Sequence, residues 1–207
     1  DDKLAEILRT GIIAQGINNV EVINENVLDF KLRPPLAKGG FKIVANLPYN
    51  ITSIFLRKFL SETDIKPELM VLMLQKEVAE RICASPREIP TFGRDAKRIS
   101  RGKAGAMSLL AVSVQFYAKP EIVEIVKKEN FWPEPQVDSA IIKLAVSGEK
   151  LKINEKDFFQ LVRFGFSAKR KMLKNNLSAG FKISQTDAEN KIVKAGFNPK
   201  IRAQELS

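Results

Sequence analysis

The sequence predicts an α/β protein in which a mostly parallel sheet, covered by helices on both faces, is followed by a small all-helical C-terminal domain. Up to about residue 148, apolar runs typical of strands alternate with segments of helical apolar spacing. Parallel strands need crossover connections, so this alternation favours a parallel sheet. From about residue 153 the spacing is helical throughout. At 207 residues the chain is long enough for a main domain and a satellite.

The first elements are a helix and two strands. Residues 3–10 have apolar side chains at helical spacing, and Gly11 follows where the helix is expected to end. Residues 20–27 (VEVINENV) have the pattern of a strand. Residues 41–47 (FKIVANL) predict a second strand that is more completely buried.

The next elements are a helix and a strand. The segment SIFLRKFL predicts a helix with Ile54, Phe55 and Phe59 on one face, and ELMVLMLQ predicts the strand that follows. Prolines, glycines and basic side chains in residues 85–105 then predict a mobile, positively charged loop.

The remaining pattern predicts the end of the sheet and the helical domain. We expect a helix at residues 107–118 and a strand at residues 121–126. A link punctuated by prolines follows at residues 131–136, and a final strand at residues 139–146. Gly148 marks a boundary, giving domains of residues 1–148 and 149–207. In the second domain, an apolar helical stripe is predicted at Phe158, Leu161, Val162 and Phe166. Residues 168–177 (AKRKMLKNNL) predict a further helical segment. Thr186 to Glu189 predict a capping box at the start of a last helix.

Charge and composition restrict the function. The formal net charge of +10 indicates a polyanionic partner, most commonly nucleic acid and less often an anionic membrane surface. There is no histidine and one cysteine, Cys83, which excludes imidazole and thiolate metal sites and nucleophile–histidine arrangements. Only carboxylates could therefore hold a metal, and we expect no metal cofactor. The single cysteine also excludes an internal disulfide and favours a cytoplasmic location. No apolar run is long enough to predict a transmembrane helix.

The turn at residues 46–49 offers a site for a nucleobase. Asn46, Leu47, Pro48 and Tyr49 follow a predicted strand at its carboxyl end, where ligands collect in open α/β sheets. An amide oxygen, carbonyl oxygens oriented by proline and an aromatic ring form a planar slot suited to a base with an exocyclic amine. Taken alone, the pattern is equally compatible with an ordinary strand-ending turn.

Such a slot suits methyl transfer to an adenine amine. Two acceptors that hold the amine hydrogens draw the nitrogen toward tetrahedral geometry and aim its lone pair at an electrophile. A sulfonium methyl donor requires neither a metal nor a strong base, because its positive charge disappears on transfer. Positioning and a preorganised polar edge would supply most of the rate, so the absence of histidine is no objection.

A second motif, NFWPEPQVDSAIIKL, begins at residue 130. Phe131 precedes two spaced prolines and a strand that opens with Val-Asp-Ser-Ala. The prolines either protect an edge strand from aggregation or stiffen a segment that holds Phe131 against a base stacked on Tyr49.

The motifs NLPYNITSIFLRKFL, LMLQKEVAERICA and FWPEPQVDSAIIKL, in this order, resemble the rRNA adenine dimethyltransferases, in particular their bacterial KsgA-type branch. The resemblance covers almost the whole chain. It implies a Rossmann-like class I methyltransferase sheet, S-adenosylmethionine as methyl donor, and dimethylation of adjacent adenines near the 3′ end of small-subunit rRNA in the immature 30S subunit. By matching positions, Asn46, Leu47, Pro48 and Tyr49 would form the adenine pocket, and Phe131 its second stacking face.

The sequence departs from the family at the donor site. The family's glycine-rich donor loop and acidic ribose-binding residue would precede Asp1, so we expect the chain to be part of a longer protein, to lack the middle strands of its sheet and to bind donor poorly. Asn26 stands where the family usually has aspartate, and its oxygen can still accept from the donor adenine's amine. The expected donor contacts are Asn26, Val27 and Asn46.

Basic side chains near the C-terminus are expected to contact rRNA phosphates, several from one helix face: Arg163, Lys169, Arg170, Lys171 and Lys174. A solvated basic face is the alternative, and the basic loop from Arg94 to Lys103 is a weaker candidate that could close over substrate.

Two other functions stay open. One is a resistance-type methyltransferase of large-subunit rRNA, which more often has isoleucine at the position of Leu47. The other is a non-catalytic ribosome-assembly or transcription factor of the same fold. We expect the protein to be a monomer.

Overall fold

The computed structural model describes residues 1–32, 40–84, 107–147 and 153–206. The chain forms two compact units, residues 1–38 and 39–207, and each is described by itself. The loop predicted at residues 85–105 and the boundary predicted at Gly148 lie outside the described residues.

The described residues of the first unit contain one helix, α1 (Asp2–Ala14), capped by the Asp1 carboxylate, which accepts the Leu4 N–H at 3.1 Å. The prediction that this helix ends at Gly11 is wrong. The Gln15 N–H still donates to the Gly11 carbonyl at 3.1 Å, because a glycine within a helix costs only about 1 kcal/mol. The turn that ends the helix uses Gly16 instead, at a φ of +65° that favours glycine.

The predicted strand at residues 20–27 is absent from the described part of the first unit, so this prediction is wrong. A strand requires a hydrogen-bonded neighbour, and no described segment of this unit pairs with it. The segment is attached to α1 by side chains instead. Asn24 donates to the Asp2 carboxylate at 2.6 Å, and Arg9 donates to the Val22 carbonyl at 3.1 Å.

The second unit contains a four-stranded sheet formed by β1 (Lys42–Asn46), β2 (Leu69–Gln75), β3 (Ala118–Val126) and β4 (Ser139–Val146), in the order β1-β2-β4-β3. Strands β1 and β2 are parallel, whereas β4 is antiparallel to both of its neighbours. Within the described residues the sheet is therefore mixed, not mostly parallel. The reason is that β3 and β4 are joined by residues 127–138 without a crossover helix.

The sheet is buried at its centre and exposed at β1. Strands β2 and β4 contribute core side chains such as Met70, Leu72, Ile142 and Leu144, all 0% exposed. On β1 burial alternates, and Val44 is 81% exposed. The prediction that β1 is the more completely buried strand is wrong, because β1 lies at the edge of the described sheet.

Along the chain, three short helices alternate with the strands of the sheet: α2 (Thr52–Arg57) follows β1, α3 (Lys76–Ile82) follows β2, and α4 (Leu109–Gln115) precedes β3. Helix α2 continues into a π-helical turn, Lys58–Glu62. The buried stripe of this segment consists of Phe55, Leu56, Phe59 and Leu60. The prediction that Ile54 shares one face with Phe55 and Phe59 is wrong, because Ile54 is 48% exposed while Leu56 is buried with the two phenylalanines.

The C-terminal helices are α5 (Glu155–Gly165), α6 (Leu173–Phe181) and α7 (Gln185–Lys194). Together with residues of α4, they line a partly open apolar pocket of about 590 Å³, and the lining includes the predicted stripe of Phe158, Leu161, Val162 and Phe166. The helix predicted over residues 168–177 begins only at Leu173. Asn176, which is buried, donates to the Gly165 and Ala168 carbonyls at 2.6 and 3.1 Å and so stabilises a non-helical turn before α6.

The start of α7 also differs from the prediction. Ser184, not Thr186, caps this helix: its hydroxyl accepts the Asp187 N–H at 3.0 Å and donates to the Asp187 carboxylate at 2.7 Å. Glu189 is instead engaged by Lys174. Across the described residues, no helix is both long and apolar enough to cross a membrane.

Candidate active site

One edge of the sheet gathers the carboxyl ends of three strands. Asn46 ends β1, and the next amide, that of Leu47, donates to the Met73 carbonyl of β2 at 3.4 Å. Ser139, the first residue of β4, pairs with Gln75 at the end of β2 and with Val126 at the end of β3. The predicted residues 46–49 and the segment containing Phe131 therefore both begin at this edge, which we call the carboxyl rim.

The turn at residues 46–49 is fixed by its backbone. Pro48 is extended, with φ −56° and ψ 132°, and its carbonyl accepts the Ile51 N–H at 3.2 Å. This bond closes a 3₁₀ turn, Tyr49–Ile51, that leads directly into α2. Leu47 is 5% exposed and anchors the turn in the core, whereas Asn46, Pro48 and Tyr49 reach the surface.

Tyr49 is held by a buried serine. The phenol oxygen lies 2.9 Å from Ser139 Oγ, and Ser139 is 1% exposed. A tyrosine ring bonded at its hydroxyl loses the freedom to swing about its side-chain torsions. The face of the ring is thus preset at the carboxyl rim.

The segment of residues 127–138, which we call the rim loop, is organised by Asp138. The Asp138 carboxylate accepts the Lys128 N–H at 3.2 Å and the Lys127 ammonium at 3.3 Å. Its own carbonyl accepts the Lys76 N–H at 3.0 Å. The Lys128 amide, and then the Lys127 and Lys76 cations, hold the pKa of Asp138 below its usual value.

Phe131 follows a 3₁₀ turn, Lys128–Asn130, and its N–H donates to the Lys128 carbonyl at 3.2 Å. The ring is half-buried. Among the described aromatic side chains, Phe131 and Tyr49 do not contact each other, so the two rings do not close the site against one another. The structure brings both residues to the carboxyl rim but does not stack them.

The expected donor contacts divide between the two units. Asn46 belongs to the second unit, whereas Asn26 and Val27 belong to the first. The Asn26 carboxamide oxygen accepts the Leu28 N–H at 3.0 Å, and its carbonyl accepts the Asp29 N–H at 2.9 Å. A carboxamide oxygen has two lone pairs, so Asn26 retains capacity for a hydrogen bond from an adenine amine and fits the group expected there.

The predicted basic helix face is not formed. Arg163 lies on α5 and Lys174 on α6, but Lys169, Arg170 and Lys171 lie in the turn between these helices. Lys174 is bound to Glu189 at 2.6 Å, with 21% of its side chain exposed. The turn arises because Asn176 stabilises a non-helical backbone there, so the residues that share the pattern do not share a face.

Sequence reasoning missed the positioning roles of Asp138 and Ser139. The signal was available, since two polar residues directly precede the apolar run of β4. It also missed Tyr117, whose hydroxyl is bonded to the Glu155 carboxylate and, at 3.1 Å, to Ser61 Oγ. Burial and the Glu155 hydrogen bond raise the pKa of Tyr117 to about 12.

Tyr117 belongs to an aromatic cluster between the end of α4 and helix α5. Its ring meets Phe116 edge-on at 4.9 Å and stacks with Phe159 at 5.9 Å, while Phe116 stacks on Phe158 at 4.7 Å. The Lys66 ammonium lies 5.2 Å from the Tyr117 ring centre, and burial lowers the pKa of that lysine. The cluster attaches the first C-terminal helix to the segment between α4 and β3.

Comparison with known proteins identifies related sequences. The profile of the family described as Ribosomal RNA adenine dimethylase matches residues 1–91 and 94–205. A protein from Dehalococcoides mccartyi strain BAV1, named Ribosomal RNA small subunit methyltransferase A, is 39% identical over 210 residues, which cover 100% of this chain and 65% of the relative. One of the same name from Streptococcus equi subsp. zooepidemicus strain MGCS10565 is 34% identical and is covered over 68% of its length. The chain thus spans about 65% of the length of the Dehalococcoides relative.

Two solved structures share the fold. A dimethyladenosine transferase from Plasmodium falciparum is 23% identical with a TM-score of 0.75, and the match covers 100% of this chain and 75% of the other. The 23S rRNA methyltransferase ErmE is 24% identical with a TM-score of 0.70, covering 100% and 74%. These similarities confirm the predicted Rossmann-like α/β fold with C-terminal helices.

Proposed function

Because the chain belongs to the ribosomal RNA adenine dimethylase family, we propose that it takes part in transferring methyl groups from S-adenosylmethionine to the exocyclic amines of adjacent adenines near the 3′ end of small-subunit rRNA. The substrate is the immature 30S subunit, and the reaction belongs to ribosome biogenesis in the cytoplasm. The protein acts as a monomer without a metal. Residues 1–148 form the methyltransferase domain, and residues 149–207 form the helical domain that binds rRNA.

The observation that carries this proposal is the fixed turn at the carboxyl rim. An adenine extruded from its helix stacks on Tyr49, whose ring is preset by Ser139 at 2.9 Å, and Phe131 covers the other face. The Asn46 carboxamide oxygen accepts one amine hydrogen. We assign the second acceptor to the Leu47 carbonyl, whose direction is restricted by the proline that follows it, while the Pro48 carbonyl accepts the Ile51 N–H at 3.2 Å and closes the turn.

These groups act by positioning. Two acceptors on the amine favour the tetrahedral nitrogen that forms as the lone pair is used, so they bind the transition state better than the flat ground state. The bound donor supplies an electrophilic methyl group on a sulfonium. In the first unit, Asn26 would accept a hydrogen bond from the donor's adenine amine and Val27 would add a backbone contact; in the second unit, Asn46 would border the donor as well as the target.

The rRNA phosphates contact Arg163 and the turn that carries Lys169, Arg170 and Lys171. Lys174 contributes less than its position suggests, because Glu189 at 2.6 Å already balances its charge. Phosphate contacts of this kind fix the position of an RNA without reading its sequence. Specificity then comes from the slot, which accepts a base with an exocyclic amine.

The test is methyl transfer by the whole protein, comparing the wild type with Asn46→Ala and with the matched control Asn50→Ala, an exposed asparagine of the following 3₁₀ turn. We expect the wild type to methylate immature small subunits, Asn46→Ala to lose at least a hundredfold in turnover, and the control to keep its activity.

The same assay separates the other two functions. Methylation of large-subunit RNA instead of the small subunit would identify a resistance-type enzyme. Binding of immature subunits without any transfer would identify a non-catalytic assembly factor. Equal turnover of wild type and Asn46→Ala would exclude the proposed slot.

A further inference from the structure

The rim loop carries the only tryptophan of the 207 residues, and it is almost completely exposed. Trp132 has 97% of its surface in solvent, immediately after the half-buried Phe131. Burying a large aromatic side chain is ordinarily favourable, so its exposure forgoes a substantial part of the hydrophobic free energy available to the chain. A surface ring of this size in a stiff loop is available for a partner.

The rim loop holds this ring in a defined place. The Asp138 carboxylate accepts the Lys128 N–H at 3.2 Å, and the Lys128 ammonium binds the Glu134 carboxylate at 2.5 Å. Amides of Asn130 and Phe131 close the 3₁₀ turn that precedes the tryptophan, and Pro133 and Pro135 restrict the backbone after it. The indole is thus presented by a backbone fixed on both sides.

Both ends of the rim loop are attached at the target slot. Val126 and Ser139 flank the loop and pair with each other, and Ser139 is the residue bonded to Tyr49. Trp132 is seven residues from Ser139, so it lies within about 25 Å of that residue even at full extension. A single-stranded RNA of a few nucleotides spans this distance.

We propose that Trp132 is a stacking platform for an unpaired RNA base that flanks the target adenine. The proposal rests on the proposed function and adds a second base-binding position to it. When a target base is extruded, its neighbours lose a stacking partner, and their exposed π-faces can stack on an aromatic side chain. An indole is the largest such face that a protein offers.

The chemistry around the ring favours a base over a protein partner. A protein hot spot lies in a desolvated apolar patch, whereas Trp132 is followed by Pro133 and the exposed, ion-paired Glu134. Stacking needs only one aromatic face. The chain's net charge of +10 supplies long-range attraction for RNA.

The rim loop contributes little to that attraction. Glu134 balances Lys128 at 2.5 Å, and Asp138 balances Lys127 at 3.3 Å. We therefore expect the contribution of Trp132 to be independent of salt concentration, unlike the contribution of basic side chains that neutralise phosphates. This difference separates stacking from charge.

The test uses the intrinsic fluorescence of Trp132, which no other indole of this chain obscures. The protein is titrated with a ten-nucleotide single-stranded RNA that contains two adjacent adenines, and with the same RNA carrying abasic sites on either side of them. We expect saturable quenching by the first RNA and little quenching by the second. Absence of quenching at RNA concentrations that saturate binding would overturn the proposal.

Variants give an independent readout by RNA-binding affinity. Trp132→Ala should weaken binding of the intact RNA about fivefold to a hundredfold, by the same factor at low and high salt, and should not weaken binding of the abasic RNA. Trp132→Phe should restore most of the loss. Val123→Ala, which truncates another exposed apolar side chain, is the matched control and should bind as the wild type does.

The outcomes distinguish this proposal from the proposed function. If Trp132→Ala binds the intact RNA as tightly as the wild type while methyl transfer proceeds, the platform is excluded and the enzyme assignment stands. If Trp132→Ala loses equal affinity for intact and abasic RNA, the ring acts on something other than a base, and the proposal fails. Quenching and base-dependent loss without any methyl transfer would support the platform on a non-catalytic RNA-binding protein.

Discussion

The phenol oxygen of Tyr49 and the hydroxyl oxygen of Ser139 lie 2.9 Å apart, although 90 residues separate them in the chain. This bond joins the turn after β1 to the first residue of β4. It sets the direction of the Tyr49 ring without using a group that takes part in bond formation. Ser139 is therefore a positioning residue.

Ser139→Ala is expected to lower methyl-transfer turnover about fivefold to tenfold, because one neutral hydrogen bond contributes about 1 kcal/mol to the preset geometry. Tyr49→Phe removes the same bond from the other side and keeps the stacking face, so it should cost a similar factor. The check is a double-mutant cycle in the whole protein. The double variant should be no slower than either single variant; additive losses would show that the bond is not the shared cause.

Gly180→Ala is expected to destabilise the protein by about 2–3 kcal/mol. A Cβ at this position of α6 would lie 2.3 Å from Cγ of Phe164, so the phenylalanine or the helix must move. The matched control is Gly11→Ala in α1, where a Cβ meets nothing within 4 Å. That substitution should stabilise its helix by about 0.5–1 kcal/mol, since alanine has the higher helix propensity. Chemical denaturation measures both; a neutral Gly180→Ala would contradict the close contact.

The Tyr117 cluster predicts a loss of stability at alkaline pH. The pKa of Tyr117 is raised from 10.0 to about 12, first by burial and then by the Glu155 hydrogen bond, so the folded protein favours the neutral phenol. Its contribution is complete below pH 10.0 and is lost as the pH rises through about 12. Tyr117→Phe keeps the ring and removes the ionisable group. Denaturation midpoints measured from pH 9 upward should fall less steeply for this variant; parallel curves would contradict the prediction.

Reversing the charge of the turn before α6 should weaken RNA binding. Lys169→Glu with Arg170→Glu is expected to reduce RNA affinity and to lower the slope of log affinity against log salt by about 2, while leaving donor binding unchanged. The control is Lys3→Glu with Lys119→Glu, two exposed lysines outside the C-terminal helices. Equal effects of the two pairs would indicate attraction by net charge alone.

Lys174→Glu should behave differently from those variants. It would place a carboxylate against Glu189, which now lies 2.6 Å from the Lys174 ammonium. We expect a lower free energy of unfolding, by about 1–2 kcal/mol, in addition to any loss of RNA affinity. The double variant Lys174→Glu with Glu189→Lys should recover the stability but not the affinity, and thermal unfolding beside RNA titration separates the two.

The sequence predicted best where a pattern and its neighbours agree. Strands β2 and β4 were predicted closely, because their mainly apolar runs match strands in the interior of a sheet and each of them pairs on two sides. The strand predicted at residues 20–27 failed because pairing is a property of the neighbour, which the local pattern does not contain. The same is true of Val44, whose apolar side chain is exposed because β1 lies at the edge of the described sheet.

The site was predicted in part for the same reason. The Asn46–Tyr49 turn and Phe131 carry a recognisable combination of residue types, and the structure brings them to one rim. The fixed direction of Tyr49 was not predictable, since it depends on a serine 90 residues away. The basic face was predicted wrongly because a buried asparagine changes the backbone between two helical patterns.

Asn176 joins its amide to the carbonyls of Gly165 and Ala168, at 2.6 and 3.1 Å, and lies 5% exposed beneath the basic turn. The three cations above it leave the backbone in a direction that this interior side chain dictates. A buried side chain therefore determines the direction in which these surface charges face. A substitution that touches neither solvent nor nucleic acid would turn the positive field away from its target while every charge remained in place.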